Sequence, residues 1–82
     1  MIKNPVDKKI YDFIISDITN NGKNYSILTN TQIGTALNVS VISVRDKVIK
    51  LAKKGYLTSL TNHWDEKNNY FHRKLLKGQM AG

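Results

Sequence analysis

ILTNTQIGTALNVSVISVRDKVIKLAKKGYL, residues 27–57, sets the architecture of the chain. It reads as two short helices, a tight turn between them and an exit into a strand. Thr29 is placed to cap the first helix, with Gln32 three residues on, the spacing of a capping box. Ile33, Ala36 and Leu37 recur at helical intervals. Asn38-Val39 interrupts them. Ser40 then offers a hydroxyl to an N–H that has no partner within the second helix. Val44, Val48, Leu51 and Ala52 give that helix one apolar stripe. Lys53 and Lys54 stand in its last turn, where positive charge suits the helix dipole. Gly55 ends it, as a residue just past a helix C-terminus commonly does.

Before this stretch, Asn4-Pro5 has the form of a helix start, a capping Asn followed by Pro at the first helical position. The helix is expected to reach about Asn20, where Asn20-Asn21-Gly22 stops it. Its apolar residues spread over roughly 200° of surface, wider than the ~100° stripe that one core needs. Ile10, Phe13, Ile14 and Ile18 suffice for the core. Tyr11 and Ile15 are left at one edge, either wrapped within the monomer or forming a homodimer interface. Lys23 to Leu28 has room for one short strand. After Gly55, Tyr56 to Leu60 and Tyr70 to Leu76 are rich in strand formers, and Asp65 to Asn69 between them is a turn cluster, so the two runs predict a β-hairpin. Residues 1–77 are therefore expected to form a single α+β domain, with 78–82 a flexible tail.

The chain has 82 residues and no cysteine, so no disulfide or thiolate-bound metal can staple it. No apolar run approaches the roughly 20 residues of a membrane span, and the first residues lack the apolar core of a signal peptide. A cytoplasmic location and no membrane partner are expected. Thirteen basic residues against six acidic ones give a net charge of +7. The surplus is lopsided. Residues 1–44 hold four basic and three acidic residues, and residues 45–82 hold nine and three. A one-sided basic excess is the footprint of a polyanion binder, although a merely solvated basic surface has the same composition.

The order helix, short strand, helix, turn, helix, hairpin resembles that of the winged helix-turn-helix superfamily. Residues 38–57, NVSVISVRDKVIKLAKKGYL, resemble its turn and second helix, with apolar residues at the places of Val44, Val48 and Leu51. Lys54-Gly55-Tyr56-Leu57 resembles the exit into the wing, and Thr31 to Leu37 resembles the supporting helix. The resemblance covers about residues 10–76. It implies three helices and a C-terminal β-hairpin wing. It also implies binding to double-stranded DNA, as in transcription regulators, replication initiators and the small accessory proteins of mobile plasmids and phages.

In a helix-turn-helix the second helix presents its first residues to base edges. Here Ser43 and Arg45 have suitable donors, and Arg45 pairs with guanine or phosphate. Val41 and Ile42 can neither donate nor accept, so they are a poor reading head unless they pack elsewhere. Lys50, one turn on, is a further candidate DNA contact, and Asp46 is expected to need it as a partner. The helix N-termini near Asn30, Thr31 and Ser40 are candidate phosphate sites. The hairpin is better equipped. Lys67, Arg73 and Lys74 are candidate phosphate or minor-groove contacts, Asn62, Asn68 and Asn69 candidate base-edge contacts, and His63 and Trp64 stand beside them. Trp64 equally suits a hairpin-packing role, and the asparagines are ordinary turn residues.

No catalytic constellation, cofactor or metal is expected. His63 and His72 have no cysteine or carboxylate pattern around them. Asp7, Asp12 and Asp17 are five apart, so successive ones turn by about 140° and cannot converge on one ion. Two readings follow: a dimeric, non-enzymatic, sequence-specific DNA-binding protein at a promoter or an origin of replication or transfer, or a winged-helix protein-interaction module that does not touch DNA.

Overall fold

In a computed structural model, which describes residues 2–67 and 70–80 (backbone only for 61–65, 70 and 71), three helices precede a two-stranded antiparallel sheet. The fold is α+β. Helix α1 spans Pro5–Asn20, α2 Asn30–Leu37 and α3 Val41–Lys53; strands β1 and β2 span Leu57–Asp65 and Tyr70–Lys77. No helix among the described residues is long and apolar enough to cross a membrane.

Each helix begins where its capping chemistry says it should. The Asn4 Oδ1 accepts from the amides of Val6 (2.9 Å) and Asp7 (3.1 Å) at the start of α1. At α2 the capping box is complete: the Thr29 amide donates to Gln32 Oε1 (2.9 Å), and the Gln32 amide donates to Thr29 Oγ1 (3.1 Å). Ser40 Oγ accepts from the Ser43 amide at α3. Asn38, in the left-handed region at φ 57°, ends α2 and lets the chain reverse into α3. The reversal is tight. A Cβ on Gly34 would come within 2.5 Å of the Val39 carbonyl oxygen, so the turn needs glycine there. Gly55 (φ 86°) closes α3, with the Gly55 amide bonded to the Ala52 carbonyl and the Tyr56 amide to that of Leu51, the paired bonds of a Schellman motif.

The core lies where α1 and α3 face the base of the hairpin. Ile10, Ile14, Ile33, Val44, Leu51, Leu57 and Leu75 are almost wholly buried, with Val48 and Tyr56 beside them. Tyr11 is buried too, not left at an edge, and its ring meets that of Tyr56 edge-on at 6.2 Å. The α1 face is rotated from expectation: Phe13 and Ile18 are only partly buried against the core, as is Ile15. At about 100° per residue, Asp7, Ile10, Tyr11 and Ile14 share one arc and Phe13 falls outside it. Tyr11 is thus unavailable as a dimer contact, and Ile15 has intramolecular neighbours.

The expected short strand after α1 contracts to one bridge, Ser26 with Leu75, made by two backbone hydrogen bonds of 2.8 Å. Ser26 is fully buried, and its hydroxyl donates to Asp17 Oδ2 (2.6 Å), tying α1 to β2. Strand β1 runs further than expected, through Asp65, and its pairing slips by one residue between Leu60 and His63, a bulge. The expected flexible tail is docked at its start. The Gly78 amide donates to the Tyr56 carbonyl (2.8 Å) and the Met80 amide to that of Gly55 (3.0 Å).

Candidate nucleic-acid interface

Asp7 decides where the basic residues of α3 go. It sits on the buried arc of α1 at 2 % exposure. A carboxylate there needs partners, and α3 supplies two: Lys47 Nζ at 3.0 Å from Oδ1, and Lys50 Nζ on Oδ2. Burial raises the Asp7 pKa, but the hydrogen bonds from Lys50 and Lys47 and their two charges outweigh it, and the carboxyl ends below its ordinary 3.8. Lys50 therefore does not pair with Asp46, and as a DNA contact it is already engaged. Asp46 pairs instead with its neighbour Arg45, at 3.3 Å on the surface.

The outer face of α3 is consequently apolar along its centre. Ile42 is 66 % exposed and Ile49 47 %, with Val41 at the rim. Ile42 does not pack down into the core. Ser43 is half-buried, and Ser40 spends its hydroxyl on the cap. At α2, Thr31 is exposed in the first turn, whereas Asn30 is half-buried, its Oδ1 without a hydrogen-bond partner.

On the hairpin, Arg73 differs from its expected role. Continuing the Ser26–Leu75 register sets Arg73 opposite Leu28, and its guanidinium Nη2 donates to the Leu28 carbonyl (3.0 Å). The side chain, not the backbone, bonds the Leu28 carbonyl there. Burial lowers its pKa from the ordinary arginine value. It is a strut between the hairpin and the segment that leads into α2, not an open phosphate ligand. Lys74 lies with Nζ 4.3 Å from the centre of the Tyr25 ring, a cation–π contact, and Lys23 approaches the same ring at 5.6 Å. Lys67 is exposed beyond the end of β1. Asn62, His63 and Trp64 lie on β1, but their side chains fall outside the described residues, as do Asn68 and Asn69 altogether.

One basic feature escaped the reading of the sequence. Where α3 passes into β1, a cleft of about 370 Å³ is bordered by Lys3, Asn4, Asp7, Lys50, Lys54 and Tyr56. Lys53 is adjacent in the chain, and Lys77 stands opposite Leu57 on β2. Lys3, Lys53, Lys54 and Lys77 are all exposed. The signal was the KK pair before Gly55, which as a sequence reads only as a helix end. Lys3 joins Lys54 through the fold. This corner can hold phosphate groups, with Asp7 inside it already matched by two lysines. Among the described residues no three His, Cys, Asp or Glu side chains gather as metal ligands would.

Comparison with protein-family models, with curated proteins and with solved structures found no match.

Proposed function

We propose that this chain is a winged helix-turn-helix protein that binds double-stranded DNA without catalysing a reaction, as a dimer, and acts by occupying a promoter or an origin of replication or transfer. The observation that supports this most is the lysine corner between α3 and β1. Lys3 and Lys54 border the cleft at the exit into the hairpin, where Asp7 is matched by Lys47 and Lys50; Lys53 is the chain neighbour of Lys54, and Lys77 pairs in register with Leu57. The order of three helices and an antiparallel hairpin is compatible with a winged-helix layout, and the hairpin carries Lys67 beyond β1. Binding centres on this corner and the hairpin.

The direct test is a titration of labelled duplex fragments at several salt concentrations. Binding is expected at low salt, falling steeply as salt rises, because each neutralised phosphate releases counterions. An affinity that ignores salt would sink the electrostatic reading. The second reading, a protein-interaction module, is favoured by the exposed isoleucines of α3. Absence of any mobility shift at low salt would select it.

A further inference from the structure

We propose that the outer face of α3 is the surface through which two copies of this chain pair, with the two α3 helices parallel. Ile42 and Ile49 are seven residues apart, so they lie within about 20° of one line on the helix. They are 66 % and 47 % exposed among the described residues. Arg45 stands on one flank of that line and Asp46 on the other, each about 50° away and at nearly the same height. Both are exposed.

That arrangement is complementary to itself in one orientation. A two-fold axis running along the helices sets Ile42 against Ile42 and Ile49 against Ile49. It exchanges the flanks, so Arg45 of each copy meets Asp46 of the other, on both sides of the seam. An antiparallel pair would instead bring Arg45 beside Arg45 and Asp46 beside Asp46, which repel. The parallel contact is isologous, as a two-fold dimer requires, and uses flanking charges as parallel coiled coils do to choose orientation. DNA is the poorer occupant: the middle of the face offers bases no hydrogen bond, and Asp46 opposes phosphate. The contact is small, so association is expected to be concentration-dependent. Because the helices run parallel, the lysine corners at their C-terminal ends fall on the same end of the dimer. Only that last consequence rests on the DNA-binding reading.

Sedimentation equilibrium of the full chain, without DNA, tests the pairing. The wild type is expected to dimerise with rising concentration. Ile42→Asp is expected to stay monomeric and keep its far-ultraviolet circular dichroism, because an acid in the exposed first turn of a helix suits the dipole. Arg45→Asp alone and Asp46→Arg alone put like charges on both flanks, and each is expected to weaken self-association by about tenfold or more. An equimolar mixture of those two variants restores acid against base on both flanks, so a heterodimer is expected to form. A wild type monomeric at every concentration overturns the proposal. So does a dimer that survives Ile42→Asp, or a mixture that associates no better than its components.

Discussion

Asp7 and Arg73 are each held by a partner 40 or more residues away in the chain. Asp7 carries a pH signature. Its folded pKa lies below 3.8, so its contribution to stability is complete above that value and is lost as pH falls through the lowered folded value. Asp7→Asn is expected to cost about 2 kcal/mol at neutral pH, the scale of a charge-assisted hydrogen bond where the lysines are part-exposed and can rehydrate. The variant's melting temperature should also fall less than the wild type's between neutral pH and pH 3. An equal fall in both would mean that the carboxylate is not what the acid titrates. Arg73→Ala leaves the Leu28 carbonyl unbonded and is expected to lower stability by about 2 kcal/mol in denaturant titration. If DNA binding fell with no change in stability, Arg73 would be a ligand after all.

At the scale of elements, what was legible in the sequence was whatever is decided within a few residues. The Thr29–Gln32 capping box, the Ser40 cap and the Gly55 stop are local chemistry, and each stands where its residues said. The rotation of α1 was not legible, because seven apolar residues allow several arcs and only contact with Tyr56 and α3 selects the one that buries Tyr11. The first strand is reduced to the Ser26–Leu75 bridge, with Arg73 bonding the Leu28 carbonyl beyond it, and no pattern in residues 23–28 announces that. The candidate site divides the same way. The basic charge of the hairpin was readable, whereas the exposure of Ile42, which the sequence left open, the removal of Lys50 to Asp7 and the approach of Lys3 to Lys54 required the fold. The turn between α2 and α3 gives the sharpest element-scale expectation. Gly34→Ala forces a methyl against the Val39 carbonyl, which is backbone and cannot swing aside. A loss of about 1–3 kcal/mol is expected, the usual cost of overpacking. A melting temperature equal to wild type would show that the turn can open.

At the scale of the whole molecule, two charged regions compete for the role of DNA contact: the start of α3, with Arg45, and the lysine corner at its far end. They predict different salt behaviour. Each lysine that neutralises a phosphate adds roughly one to the slope of log affinity against log salt. Replacing Lys53 and Lys54 together by alanine should therefore weaken binding and make the slope shallower by about two. Both side chains are exposed on the last turn of α3 or just beyond it, so the double change should cost only the dipole term, about 1 kcal/mol or less, against a larger loss of binding. Arg45→Ala, measured at protein concentrations where the chain is already dimeric, should leave the slope as it was, because Arg45 faces the other copy and not phosphate. The two variants thus separate the ends of one helix. A slope changed by Arg45→Ala and untouched at Lys53 and Lys54 would return reading of DNA to the beginning of α3, and with it would remove the reason for assigning the isoleucine face to a second copy.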